Sequence, residues 1–383
     1  MSSFDFHNPV RLIFGRGRLA EIGAIAKENG QKAIIVTSGS SGRTGLLDRV
    51  KGYLTEAGVT AVVFDKVKAN PLTTTVDEGG EVARKEGCDL VIGLGGGSSM
   101  DAAKAVAFMA KNPGKAADYL YGKPGTGALP LVLVTTTAGT GSEGNCIGVL
   151  TNPENKDKKG MRGPHLYAKA SIIDPELLVT LPKKSIAGPG LDALFHAIEA
   201  FIGRRSNDMT GMMALQAIRL SSENLPLVYE DPKNLAAWEK VSLANTLGGM
   251  AIDGSGTALP HGMEHPVSGL YDAPHGEGLA SLYVAILEFT LAAVPEKFAQ
   301  IAQAMGADIS GLSVEAAAAK CIDCIKELMA KVDMPPRLKD FGAKEADIDW
   351  LTDQAINTMQ VNLSNHPKTP TREEIREIYR KSM

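Results

Sequence analysis

Seven histidines are scattered over 383 residues, but four of them fall between positions 196 and 275. Asp192 and His196 stand four apart in Gly190–Glu199, a segment that follows Pro189 and reads as a helix. Residues at i and i+4 share a helix face, so both side chains can reach one ion. His261 and His265 repeat that spacing in Leu259–His265, and His275 follows in a Pro-His-Gly run expected at a bend. A carboxylate oxygen with imidazole nitrogens suits a borderline divalent ion such as Fe²⁺ or Zn²⁺. One such pair would mean little, because a single histidine usually just satisfies its hydrogen bonds; His7 and His366 are placed in that class. Three clustered histidines with an aspartate, all in one helical region, are hard to explain as core filling. An ion held there can polarise a carbonyl or stabilise an alkoxide, the chemistry that lets a hydride leave carbon.

A hydride needs an acceptor, and the first half of the chain offers a place for one. Gly93–Asp101 (GLGGGSSMD) follows an apolar run and opens a helical one. Glycines let backbone approach a ligand, and a helix N-terminus presents unpaired N–H groups to a phosphate. Ser98 stands where the last glycine of G-x-G-x-x-G would fall, so strand-then-helix context carries the reading, with Gly95 among the contacts. Thr135–Glu143 (TTTAGTGSE) follows a second apolar run and suits a cofactor's phosphates or ribose. After the run ending at Thr37 comes Ser38-Gly-Ser-Ser-Gly-Arg43, with no carboxylate before Asp48. A carboxylate there would select NAD through the ribose hydroxyls. Ser38, its neighbouring hydroxyls and Arg43 lean instead toward a 2′-phosphate, so NAD or NADP is expected.

These residues need a scaffold. Apolar, β-branched runs at 32–38, 59–64, 89–94 and 129–136 alternate with helical spacing at 45–57, 75–86 and 99–110. Such alternation predicts a parallel sheet with helices on both faces and ligands beyond the strands' carboxyl ends. From Ser185 onward, Ala, Leu, Met and Glu recur at helical spacing and strand-type runs nearly vanish. The expected organisation is a dinucleotide-binding α/β domain, 1–184, a doubly wound Rossmann-like fold, and an all-helical metal-binding domain, 185–383. A cleft between domains is the natural place for chemistry.

Composition removes other classes. The net charge is −4, charged residues are 22% and aromatics 5%. No basic run or stacking surface marks a nucleic-acid face. No leader-like N-terminus and no run of 18 apolar residues is found, so neither secretion nor a membrane is expected. Four scattered cysteines suit a reducing cytoplasm. Cys321 and Cys324, a CxxC, read as two small residues on a helix over 314–329 rather than a redox pair or half a zinc site.

These motifs resemble the iron-containing (group III) alcohol dehydrogenase family over essentially the whole chain. The likeness runs through Phe14–Gly17, Ala69–Pro71, Gly95–Ser98 with Asp101 and Lys104, Thr136–Glu143, Pro164–His165, Asp174–Pro175, Asp192–Glu199 and His261–Gly276. The resemblance implies a metal-dependent NAD(P) oxidoreductase interconverting a small alcohol, or a diol, and its aldehyde. By matched position it makes Asp192, His196, His261 and His275 the ligands of one ion, Fe²⁺ foremost, with Zn²⁺, Mn²⁺ or Ni²⁺ compatible. It sets His265 beside the nicotinamide, off the metal, as a catalytic proton relay. It makes Asn70, Gly96, Gly97, Ser98, Asp101, Thr136, Thr137, Thr140 and Lys159 cofactor contacts. Family habit implies a homodimer or a higher homo-oligomer.

Three features depart from the family pattern: Ser38 in place of an aspartate, Glu277-Gly-Leu279 after Pro-His-Gly, and Glu264 between two histidines. Glu264 is expected to face solvent, as most glutamates do, and Glu199 to pack beside or support the metal helix. Maleylacetate-reductase-like and glycerol-dehydrogenase-like readings are the alternatives within the fold. A non-catalytic assembly subunit is the alternative of another class, disfavoured because the ligand set and both loops are intact.

Overall fold

The computed structural model describes residues 3–334 and 336–383. Two compact units emerge, one of 8–137 with 142–179, the other of 3–7, 138–141, 180–334 and 336–383.

In the first unit, β1 (Arg11–Phe14) leads to α1 (Ile22–Asn29), β2 (Lys32–Thr37), α2 (Gly39–Arg43) and α3 (Leu46–Glu56). There follow β3 (Thr60–Phe64), α4 (Thr73–Lys85), β4 (Leu90–Gly95), α5 (Gly97–Met109), α6 (Ala116–Leu120) and β5 (Leu131–Thr135). A two-stranded antiparallel pair, β6 (Ile147–Asn152) and β7 (Asp157–Arg162), precedes β8 (Ala170–Ile173). Six strands form one parallel sheet in the order β1-β8-β5-β4-β2-β3. Successive residues of one strand point to opposite faces. Thus Ile34 and Val36 of β2 join a core with Val76, Met100, Ala103 and Val106, whereas Ala33 and Ile35 join Ile22, Leu46, Val50 and Leu54. Helices α4 and α5 therefore cover one face, and α1 and α3 the other. The expected doubly wound fold is present. The strands at 11–14 and 170–173 and the hairpin were not among the expected elements: four-residue strands and a hairpin carrying Asp157, Lys158 and Lys159 lack a clear apolar signal.

From β2 the chain winds outward to β3, while β4 sits on the other side of β2 and leads to β5. Connections thus diverge between β2 and β4, the switch point beyond whose carboxyl ends ligands bind in such sheets. Ser38 and the glycine turn lie at those ends. Gly95 has φ 148°, a conformation that suits glycine, and a Cβ there would stand 2.5 Å from Ser99 Oγ.

The second unit is built of α7 (Lys184–Ile202), α8 (Asp208–Glu230), α9 (Leu235–Ser255), α10 (Leu259–Tyr271), α11 (His275–Thr290), α12 (Pro295–Ala304), α13 (Val314–Lys331), α14 (Ile348–Thr358), α15 (Gln360–Asn365) and α16 (Arg372–Lys381). Its helical character follows the sequence expectation. It also takes in 138–141, for local reasons. The amide of Gly141 donates to Asn245 Oδ1 at 2.9 Å, and Gly139 lies so close to Pro189 that a Cβ would stand 2.8 Å away. The stretch His275–Ala293 is long and apolar enough to match a membrane span, but half of it is buried, and Leu282 and Ile286 belong to the core of this unit. Cys321 and Cys324 sit as free thiols on α13.

Gly93, within β4, lets α5 lie on the sheet: a Cβ would come 2.6 Å from Leu133 Cδ2 and 2.7 Å from Ala103 Cβ. Gly93→Ala is expected to destabilise the α/β unit by about 1–3 kcal/mol through overpacking. A urea transition shifted to lower concentration at unchanged slope would bear this out.

Candidate functional site

Three segments of the helical unit converge on Asp192. Helix α7 carries Asp192 and His196 one turn apart, α10 carries His261, and His275 is the first residue of α11. Asp192 Oδ1 lies 3.6 Å from His196 Nδ1, 3.5 Å from His261 Nε2 and 3.8 Å from His275 Nε2. Donor atoms of Asp192, His261 and His275 all fall within 4.8 Å of one another. The His196 ring stacks on His261, centroids 4.5 Å apart, and its Nδ1 faces Gly139 O at 3.3 Å. His265 is buried beside them, ring centroids 6.1 Å from His261 and 5.7 Å from His275. The side chains of Asp192, His196 and His261 are 3–7% exposed, while His275 keeps 22% open.

Two buried polar atoms at the centre, Asp192 Oδ1 and His261 Nε2, have no hydrogen-bond partner. Buried polar groups are otherwise nearly always satisfied, so each such group calls for a cause. Burial opposes charge on Asp192, but His196, His275 and His261 outweigh it and hold its carboxyl below the usual range. Burial likewise disfavours charge on His261, yet the Glu199 and Asp192 carboxylates push it up to about 10. Burial wins at His196, which shifts downward. The cluster therefore attracts positive charge, and oxygen and nitrogen donors around an unmet carboxylate fit a divalent cation.

The histidines are held from outside. His261 Nδ1 donates to Glu199 Oε1 at 2.6 Å, and Glu199 Oε2 accepts the amide of Ala258, also at 2.6 Å. His275 Nδ1 pairs closely with Glu264 Oε2. A metal-binding histidine commonly gives its other N–H to a carboxylate, which fixes tautomer and orientation.

In the α/β unit, the carboxyl ends of neighbouring strands gather most of the expected cofactor contacts. Gly95 pairs in register with Thr135, and the Thr136 amide donates to Gly95 O at 3.0 Å. Gly96 precedes α5 and approaches Thr137 so closely that a Cβ would lie 2.7 Å from its Oγ1. Gly97 begins α5 and Ser98 is half-buried in its first turn. Ser38 directly follows β2, with its Oγ 2.6 Å from Ser40 Oγ. Asn70 takes a left-handed backbone, φ 48°. Lys159 is half-buried on β7 with Nζ 5.8 Å from the Tyr121 ring centre. Thr140 belongs to the segment grouped with the helical unit. Asp101 points inward: Oδ1 accepts from Ser142 Oγ at 2.6 Å and Oδ2 from the Val149 amide at 3.0 Å.

Comparison with known proteins decides the lineage. Residues 9–175 match the family model "Iron-containing alcohol dehydrogenase", and 186–383 match "Fe-containing alcohol dehydrogenase family, C-terminal". The chain belongs to the iron-containing alcohol dehydrogenase family. It is 38% identical to the 1,3-propanediol dehydrogenase of Citrobacter freundii over 99% of this chain and 98% of that one. It is 34% identical to the NAD-dependent methanol dehydrogenase of Bacillus methanolicus over 99% and 100%. The crystal structure of an alcohol dehydrogenase from an archaeal halo-thermophile of a Red Sea brine pool superposes with a TM-score of 0.96 at 35% identity, covering both chains fully. This iron-containing alcohol dehydrogenase is thus an oxidoreductase that interconverts alcohols and aldehydes.

Some expectations need correction. Glu264 does not face solvent; it is fully buried, because the first ten residues of α10, Leu259–Ser268, are buried on every side. His7 is exposed rather than a core histidine, whereas His366 is buried and within 2.8 Å of Thr290 Oγ1. Glu199 is the support it was expected to be. Its spacing from Asp192 and His196, i+7 and i+3, already set it on their helix face.

Lys104 is a fully buried cation of the α/β unit. Its Nζ donates to Ser142 Oγ at 2.7 Å, Asn145 Oδ1 at 2.9 Å and Ile147 O at 2.7 Å, and Ser142 passes the link to Asp101. Lys104→Met is expected to cost about 3 kcal/mol or more, since it leaves the Asp101 carboxylate buried without its compensating charge. Chemical denaturation of wild type and variant at neutral pH would measure it.

Proposed function

We propose that this alcohol dehydrogenase holds one divalent cation, Fe²⁺ foremost, between Asp192, His196, His261 and His275. A nicotinamide cofactor on the α/β unit exchanges hydride with a small primary alcohol or its aldehyde. The observation that carries the reading is Asp192 Oδ1, buried, without a hydrogen-bond donor, and ringed by three imidazoles at 3.5–3.8 Å. A cation bound there supplies Lewis acidity to the substrate oxygen. The chain's own residues do the rest. Glu199 and Glu264 fix the rings of His261 and His275 through their Nδ1 atoms. The partly open His275 marks the side from which a substrate oxygen reaches the cluster. His265, buried beside both rings, relays the alcohol proton.

The N-terminus of α5, with Gly95, Gly96, Gly97 and Ser98, receives the cofactor's pyrophosphate. Asn70, Thr136, Thr137, Thr140 and Lys159 line the rest of the cofactor's path, and Asp101 acts by positioning the turn that carries Ser142 rather than by contact. The β2 end supports use of NADP(H) beside NAD(H). Ser38 and Ser40 are hydroxyls, and the Arg43 guanidinium reaches to 3.5 Å from where a Gly39 Cβ would stand. The substrates named for relatives, 1,3-propanediol and methanol, point to short alkanols, diols and small polar aldehydes.

Protein purified anaerobically and stripped with a chelator is expected to lose NAD(P)H oxidation with small aldehydes and to regain it with Fe²⁺. No turnover with any aldehyde or divalent metal would sink the reading. His261→Ala is expected to lower metal affinity by more than the roughly 100-fold that a lost supporting partner can cost, while NAD(P)H fluorescence still reports cofactor binding. Retention of both ion and activity would refute the ligand set. Ser38→Asp is expected to shift preference from NADPH toward NADH by about tenfold or more in kcat/KM, as a carboxylate engages ribose hydroxyls and repels a 2′-phosphate.

A further inference from the structure

Helix α10 contains a carboxylate that the reaction does not require as a ligand. Glu264 is fully buried, and its two oxygens part company: Oε2 meets Nδ1 of His275, and Oε1 meets Oγ of Ser268, one turn further along α10. Ser268 Oγ also lies 3.1 Å from Ala273 O, in the turn that joins α10 to α11. On α11, one turn beyond His275, Gly278 faces the same carboxylate; a Cβ there would stand 2.8 Å from Glu264 Oε1 and 3.1 Å from its Cγ. Nothing larger than a hydrogen fits opposite Glu264. His275 Nδ1 is thus turned to Glu264, and its Nε2 faces Asp192 Oδ1 at 3.8 Å.

We propose that Glu264 is a positioning residue that holds His275 with Nε2 turned toward Asp192, and that Gly278 is bare so that this carboxylate can be accommodated. The inference rests on the ligand set proposed above. A carboxylate on the far nitrogen of a ligand both fixes the ring and strengthens its donor atom, and losing such a partner typically weakens metal binding 10–100-fold.

The test is metal affinity of the full-length chain after chelator treatment, read by Zn²⁺ competition against a fluorescent chelator. Wild type is expected to bind one ion per chain. Glu264→Gln can keep both contacts, its carbonyl accepting from His275 and its amide donating to Ser268, and is expected to weaken binding about tenfold; Glu264→Ala should weaken it about 100-fold. The visible absorption of the Co²⁺-loaded protein should shift in Glu264→Gln while the metal-free melting temperature stays put, a change that loss of fold would not produce. Gly278→Ala is expected to weaken binding in the wild-type background and to add nothing in Glu264→Ala, where the space is vacated. Unchanged affinity in both Glu264 variants, with His275→Ala losing its ion, would overturn the positioning role and leave the ligand set standing. Wild-type affinity in His275→Ala would overturn the ligand set itself. Two ions per chain, one of them lost in Glu264→Gln, would make Glu264 a ligand and also refute the proposal.

Discussion

Asp192 holds a carboxylate where almost no water reaches, and the centre of the helical unit answers to that charge. A buried anion without compensation is costly, and Asp192 is not alone. Glu199 and Glu264 are both fully buried within the same set of helices, so three carboxylates share one desolvated region. Each is paired with imidazole: His196, His261 and His275 around Asp192, His261 on Glu199, His275 on Glu264. Neutral imidazoles supply donors but no charge. The balance then needs protons on the rings or a cation among them, and the upward push on His261 is the proton's version of that demand.

Rigid elements turn this demand into a fixed geometry. Asp192, His196 and Glu199 recur at i, i+4 and i+7 on α7, so one helix face presents a central anion, a neighbouring ring and a support. Glu199 does two things at once. It accepts from His261 and, through its other oxygen, from the amide of Ala258 at the start of α10. A carboxylate at a helix N-terminus satisfies one of the orphan N–H groups and suits the helix dipole. The same side chain thus fixes both the ring of His261 and the helix that carries it. On the other side, α11 begins at His275, so the backbone direction changes immediately before that ring.

Much of this was legible in the sequence, for reasons that differ by element. The strands at 32–37, 90–95 and 131–135 announce themselves because they are buried on both faces over continuous apolar runs. The edge strand at 11–14 and the hairpin at 147–162 are short or carry charged residues, and their pairing depends on partners distant in sequence. The aspartate and histidines could be grouped by type and helical spacing. Glu264 could not be placed the same way, since spacing shows only that it lies near His261 and His265 in sequence. Its burial depends on α11, where the absence of a side chain at Gly278 leaves the room. A glutamate read alone is assigned to solvent by the average behaviour of glutamates; paired with a glycine fourteen residues on it is assigned to the core, and that pairing exists only in three dimensions.

The α/β unit solves a converse problem. A helix N-terminus can receive an anion only if its own acidic residues do not occupy it first. Asp101 lies in the opening turns of α5, close enough in sequence to compete, yet both of its oxygens are taken by Ser142 and the Val149 amide. Lys104, one turn later, points the same way into Ser142, Asn145 and Ile147, and its charge offsets that of Asp101 in the interior. This inward turn keeps the Asp101 carboxylate off the start of α5, where Gly96 and Ser98 are half-buried. The string of glycines, serine, aspartate and lysine therefore divides its labour. The glycines and Ser98 form the turn into the helix, and the charged residues tie that turn to the β6 strand and the segment before it, which draws the Asp101 carboxylate away from the helix start.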